Sequence, residues 1–264
     1  MMITAAKNPV GGFLVWQLIR SAITKQFSAV HVREREPADP TLRTMPTIYY
    51  ANHSSWWDGY MCTSLAEHVF RQDSYIFMEE KNLRRYRFFT WTGAFGVDRD
   101  NARSALQSLD YAAGLLTALP GRGVYIYPQG TMVPNDSRPF TFYSGLVHLA
   151  RRVGRVRLVP VAIRYEFLQE QRPDAFMSIG PAYQYDAATA PRPRALLPIL
   201  NTILTMELDT LRADIAAERI ADFRTIMRGS KGVDRLFDRA MSRGPRATPH
   251  LDAVEESVQG LESR

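Results

Sequence analysis

The chain predicts an α/β fold in which a mainly parallel sheet is flanked by helices, with an amphipathic helix ahead of it and further helices behind. Three observations lead there. Between about residue 46 and residue 181, short β-branched or aromatic runs alternate with segments of helical period. From about Leu196 onward the apolar spacing is helical throughout. The 264 residues carry 45% hydrophobic side chains, enough to bury one large core. Alternation of this kind arises when parallel strands are joined by helical crossovers.

The N-terminal unit, residues 1–30, reads as an amphipathic helix. Phe13, Trp16, Ile19, Ile23, Phe27 and Val30 recur at steps of three and four, with Gln17, Arg20, Ser21, Thr24 and Ser28 opposite. Tryptophan beside basic residues suits a helix lying in a membrane interface, and the same stripe suits a helix packed on its own domain. Gln17, Arg20 and Lys25 break the apolar run well short of the roughly 18 residues a spanning helix needs. No small-residue cleavage site follows it, so it does not read as a signal peptide. Residues 31–45, charged and proline-containing, read as a linker.

Residues 46–243 read as a single α/β domain. Strands are expected at Thr47–Ala51, Ser74–Met78, Gly93–Val97, Gly123–Tyr127, Arg155–Ile163 and Ala175–Ile179. Helices are expected at Trp57–Phe70, Ala102–Leu119 and Gly145–Arg152. Leu200, Ile203, Leu204, Leu208, Leu211 and Ile215 then mark one buried stripe of a long helix, and Val233–Met241 a shorter one. Residues 244–264, polar and broken by proline, read as a flexible tail.

Composition narrows the function. Cys62 is the only cysteine, which excludes an internal disulfide and any cysteine-rich metal framework. The formal charge is +6 and almost entirely arginine, since Lys7, Lys25, Lys81 and Lys231 are the only lysines. Such a surface suits an anionic membrane or a phosphorylated carrier as well as nucleic acid. No helix-turn-helix or RNA-recognition pattern accompanies it, so nucleic acid is not expected as a partner. His31, His68, His148 and His250 show no ligand spacing, and no metal site is expected.

In parallel α/β sheets, sites form beyond the carboxyl ends of the strands. Three unusual stretches follow strands here: residues 52–58, 98–101 and 128–131. His53 and Asp58 lie five residues apart, about 140° around a regular helix, so one helical face cannot hold both. A loop-to-helix turn can, and an aspartate in the first helical turn stays ionised there. A carboxylate placed in that way orients an imidazole and stabilises its charged form, as a general base requires. A purely structural hydrogen bond satisfies the same spacing. Trp56 and Trp57 suit core anchors of the following helix or the lining of an entrance. Lys81 to Phe89 mixes cations with aromatics, as a phosphate-receiving segment or a solvated face would.

Asn52-His53-Ser-Ser-Trp-Trp-Asp58 resembles the signature of the glycerolipid acyltransferases, the superfamily of glycerol-3-phosphate and 1-acylglycerol-3-phosphate acyltransferases. Gly93-Ala-Phe-Gly-Val-Asp-Arg99, Tyr127-Pro-Gln-Gly-Thr131 and Leu158-Val-Pro-Val-Ala-Ile163 resemble that superfamily's next three blocks, in order, with Gly180-Pro181 closing the stretch. The resemblance covers residues 46–181 and implies a glycerol-3-phosphate acyltransferase-like fold. It implies an O-acyltransferase that moves a fatty acyl group from acyl-CoA or acyl-carrier-protein to a lipid hydroxyl, without a cofactor. His53 would be the base and Asp58 its partner. Asn52, Arg99, Gln129, Gly130 and Thr131 would line the substrate site, with N–H groups around Gly130 and Thr131 facing the oxyanion. Partners implied are the lipid acceptor, the thioester donor, which includes an acyl carrier protein, and the cytoplasmic face of a membrane, as a peripheral protein.

Two positions depart from the family pattern. Gln129 and Met132 stand where glutamate and arginine are usual, while Arg99 remains, with Arg138 expected to assist it. A phosphate-bearing acceptor is thereby less secure, and an uncharged or glycosylated lipid alcohol enters as an alternative, as does an inactive lipid-binding relative. Cys62, on an apolar helix, is expected to be buried and inert rather than a nucleophile.

Overall fold

Residues 2–36 and 44–229 are described by the structure, a computed structural model. Helix α1 (Pro9–Gln26) is capped by the Asn8 side chain, which accepts from Gly11 N at 2.8 Å, and proline occupies its first position. Strand β1 (Ala29–Glu34) follows, then β2 (Thr47–Ala51) and α2 (Asp58–Leu65), which runs into a π-helical turn at Ala66–Phe70. Next come β3 (Ser74–Glu79), α3 (Glu80–Arg85), a 3-10 segment Arg87–Thr92, β4 (Ala94–Val97) and α4 (Ala102–Ala118). The chain continues through β5 (Gly123–Ile126), α5 (Gly145–Val153), β6 (Arg155–Glu166), β7 (Asp174–Ile179), β8 (Tyr183–Asp186), α6 (Pro193–Ala216) and β9 (Arg224–Arg228).

The described strands form one mixed sheet in the order β4-β3-β5-β2-β6-β7-β1-β9, with β8 paired to the start of β6. β2 lies parallel to both β5 and β6, and β3 parallel to β4 and β5. β7 runs antiparallel to β6, and β1 parallel to β7. The expected mainly parallel sheet flanked by helices is therefore the fold observed. Side chains alternate along β2: Ile48 and Tyr50 join the layer of α4, α5 and α6, while Tyr49 and Ala51 join that of α1 and α2. β6 overruns its parallel neighbour. Val161 sits level with Ala51, and the next five residues extend beyond the end of β2, paired to β7. That overhang supplies a wall for whatever follows β2.

Two expectations about the N-terminal part need correction. Residues 31–34, assigned to a linker, belong to β1, because the alternation of Val30 and Val32 with charged neighbours fits a strand paired on both sides, by β7 and β9. The α1 stripe holds at Ile19, Ile23 and Phe27 but is rotated at its start. Val15 is buried with them, whereas Phe13 is 60% exposed together with Val10, Leu14 and Leu18. Packing between α1 and the 3-10 segment sets this rotation: a side chain at Gly11 would fall 2.7 Å from the Trp91 ring, so the glycine face is the one that can approach. Among the described residues, no helix is long and apolar enough to cross a membrane. The expected helix Val233–Met241 and the tail 244–264 lie outside the described residues.

Candidate active site

The chain leaves β2 at Ala51, and Asn52 immediately ties the departing loop to the β6 overhang. Its Oδ1 accepts from Ile163 N at 2.7 Å, and its Nδ2 donates to Ile163 O at 2.8 Å and to Asn135 Oδ1 at 2.8 Å. An amide side chain thus continues the strand pairing that the backbone has abandoned. His53 is held from the other side. Its backbone N–H donates to Gln129 Oε1 at 2.6 Å, and its carbonyl accepts from Val133 N at 2.8 Å. Both partners come from the loop after β5, so β2, β5 and β6 together fix one residue.

The imidazole is fixed as firmly. Its Nδ1 lies 2.8 Å from Asp58 Oδ2, and the Tyr127 ring stacks on it at 4.4 Å between centroids. Asp58 opens α2 and is fully buried. Its Oδ2 also accepts from Ser54 N at 2.7 Å and Ser55 N at 2.8 Å, and its Oδ1 accepts from the Tyr165 hydroxyl at 2.6 Å. Four donors therefore converge on one carboxylate at the start of a helix, two of them backbone N–H groups, one an imidazole and one a phenol. An ionised partner at Nδ1 puts the proton of a neutral ring there and leaves Nε2 as the proton acceptor. The imidazole ring is 20% exposed, so it can be reached.

Around this pair, other ionisable groups are held neutral. Burial pushes the Cys62 thiol up to about 12, against a weaker opposing bond from the Tyr127 hydroxyl at 3.2 Å. Burial likewise raises the Tyr127 and Tyr165 phenols well above their ordinary value. Cys62 is therefore a buried, protonated thiol with no nucleophilic character, as expected of it.

Arg99 stands beside the loop after β5. Its Nη1 donates to Gly130 O, and its Nη2 lies 3.6 Å from Glu79 Oε1. Lys81 Nζ lies 2.8 Å from the same oxygen, and Asn82 Nδ2 donates to Glu79 Oε2 at 3.0 Å. Gly130 has φ +70°, and a side chain there would meet the Tyr143 ring at 2.8 Å, so glycine is required. Its N–H donates to Tyr127 O at 3.0 Å within the turn, which removes it as an oxyanion donor. Thr131 and Met132 are exposed on the adjoining rim. Arg138 is spent elsewhere, on Asp209 and on the carbonyls of Asn135 and Ser137, and it covers the Phe140 ring.

The structure thus joins His53, Asp58 and Gln129 by hydrogen bonds, ties the adjoining Asn52 to β6 and Asn135, and sets Arg99 beside Gly130. Sequence reasoning missed Tyr165 and Glu79. Tyr165 lies on the overhang of β6, where a tyrosine is an ordinary strand residue, and nothing in the sequence marks its hydroxyl as a partner of Asp58. Glu79 ends β3 and opens the charged run Glu79-Glu80-Lys81, a position at the sheet's carboxyl edge that could have singled it out.

Comparison with known proteins gives three results. The model of the family described as Acyltransferase matches residues 29–164. The crystal structure of the 1-acyl-sn-glycerophosphate acyltransferase PlsC from Thermotoga maritima superposes with a TM-score of 0.53 at 17% identity, covering 76% of this chain and 80% of that one. No curated protein matches by sequence.

Proposed function

The chain belongs to the Acyltransferase family and is an O-acyltransferase, and from that premise we propose that it transfers a fatty acyl group from an acyl thioester to the hydroxyl of a lipid, with His53 as general base. The observation that carries this reading is the 2.8 Å contact between His53 Nδ1 and the fully buried, four-fold hydrogen-bonded Asp58. The acceptor hydroxyl gives its proton to His53 Nε2 while its oxygen attacks the thioester carbonyl. Asp58 stabilises the imidazolium that results. Collapse of the tetrahedral intermediate breaks the C–S bond, and the imidazolium proton goes to the departing thiolate. No acyl-enzyme is needed. An oxyanion donor in such a site is worth about 3 kcal/mol. With Gly130 N–H engaged, Thr131 N–H is the candidate that remains on this loop.

The donor is acyl-CoA or an acyl carrier protein, and no cofactor or metal enters these steps. The acceptor in the Thermotoga protein's description, a 1-acylglycerophosphate, is one candidate here. A second reading is favoured by a specific feature: the Arg99 charge is shared with Glu79, and the buried side chain beside His53 is the uncharged Gln129. Both suit an uncharged or glycosylated lipid alcohol. The enzyme works as a peripheral protein on the cytoplasmic face of a membrane, with Val10, Phe13, Leu14 and Leu18 of α1, and the neighbouring Phe88 and Trp91, entering the interface.

The test is thiol release from acyl-CoA, with and without lipid alcohols. Release should depend on a lipid acceptor, and His53→Ala should lower it by about 10²–10⁴-fold while the folded state is retained. Wild-type turnover by that variant would remove the base from His53.

A further inference from the structure

We infer that Tyr165 is a positioning residue of the transfer reaction, acting through Asp58; this rests on the reading of His53 as base. Asp58 Oδ2 is filled by His53 Nδ1 and two backbone N–H groups, and the Tyr165 hydroxyl reaches the other oxygen, Oδ1, at 2.6 Å. Asp58 is fully buried, so water does not take the place of that donor. A phenol hydrogen bond to an ionised carboxylate is charge-assisted and directional. It fixes the rotation of the carboxylate plane, and with it the direction in which Oδ2 meets the imidazole.

The Tyr165 ring is itself held. It lies 5.4 Å from the Phe27 ring, and Phe27 stands edge-on to Trp57 at 5.1 Å, one residue before Asp58. Phe27 follows α1 directly, so the end of that helix, the overhang of β6 and the start of α2 converge on one carboxylate. The titratable groups facing Asp58 are His53 from the loop after β2, Cys62 from α2, Tyr127 from the loop after β5, and Tyr165 from β6. Burial holds Cys62, Tyr127 and Tyr165 protonated, which leaves the His53–Asp58 pair as the part that exchanges a proton.

The sign of the effect follows. Tyr165 donates to a pair that carries one negative charge when His53 is neutral and none when it is protonated. The bond is therefore worth more to the unprotonated, reactive pair. Losing the hydroxyl makes proton uptake easier and displaces the active form to higher pH.

Tyr165→Phe keeps the ring and removes only the hydroxyl. Expected are a fall in kcat on the order of tenfold, little change in KM for thioester or lipid, and an acid limb of the kcat/KM profile about half a unit to one unit higher. Phe27→Leu retains the hydroxyl but loosens the ring, and should give a smaller fall in kcat in the same direction. An unchanged pH profile in Tyr165→Phe overturns the inference, whether turnover is kept or falls with a lower melting temperature as a packing defect would produce. If His53→Ala is inactive while Tyr165→Phe matches the wild type, this inference alone fails. If His53→Ala remains active, the base assignment fails and the inference with it.

Discussion

Two carboxylates stand near the carboxyl edge of the sheet and are treated in opposite ways. Asp58 is fully buried, with every hydrogen bond supplied by a fixed donor: two backbone N–H groups, an imidazole and a phenol packed against the Phe27 ring. Glu79 is 29% exposed and shares itself among Arg99, Lys81 and Asn82, all of them exposed or partly exposed side chains. Preorganised dipoles around a buried charge cost no reorganisation during reaction, whereas exposed ion pairs are screened by water and contribute little. On the proposed reading, the part of the site that would do chemistry is built rigidly, and the part beside it that would meet the acceptor is built from exposed, adjustable pairs. Substitutions should therefore divide by region, with large losses of turnover on the Asp58 side and changes of preference on the Glu79 side.

The largest effect after loss of His53 itself belongs to Asp58. Asp58→Asn preserves shape and keeps one acceptor oxygen for the Ser54 and Ser55 N–H groups, but removes the negative charge that stabilises the imidazolium. A drop in kcat of about a hundredfold or more is expected with nearly unchanged KM, since only the charged intermediate loses support. Gln129 tests the boundary between the regions. Gln129→Leu leaves the His53 N–H buried and unpaired, at a cost of about 1–3 kcal/mol, read as a lower melting temperature along with reduced turnover. Gln129→Glu keeps an acceptor for that N–H and should lose less turnover than the leucine variant. If the two variants prove equal, the contact to His53 is not what Gln129 contributes.

Much of this division was legible in the sequence. The strands of residues 46–181 and the helices after β2, β4 and β5 follow from periodicity, and the His53–Asp58 turn from a spacing that no single helix can hold, whereas α3 and the 3-10 segment Arg87–Thr92 were not marked by it. What escaped was set by tertiary pairing. β1 hides in a charged stretch because only its two neighbours in the sheet make its valines a strand core, and β9 is a short run that gains its identity from pairing with β1. The rotation of α1 depends on Gly11 and Trp91 meeting, a contact between residues eighty positions apart that periodicity cannot rank. Tyr165 escaped for a related reason. Its hydroxyl matters only because β6 outruns β2, and strand overhang is a property of register rather than of composition.

The smallest effects are expected at Arg99, and they discriminate between acceptors. A guanidinium that binds a phosphate directly makes charge-assisted bonds worth about 1.5–3 kcal/mol, so its loss would raise KM for a phosphorylated acceptor by roughly ten- to a hundredfold. Arg99 here already gives Nη1 to Gly130 O and lies against Glu79, so its free charge is small. Arg99→Gln, in which an amide can still donate to Gly130 O, should change KM for an uncharged lipid alcohol by less than about threefold, the scale of an exposed ion pair. Glu79→Gln is the converse experiment. It releases Arg99 and Lys81 from their shared carboxylate and should improve the use of a phosphate-bearing acceptor relative to an uncharged one. A fall in phosphate-acceptor use instead would mean that Glu79 orients Arg99 toward the substrate rather than cancelling it, and the site would then be read as phosphate-specific.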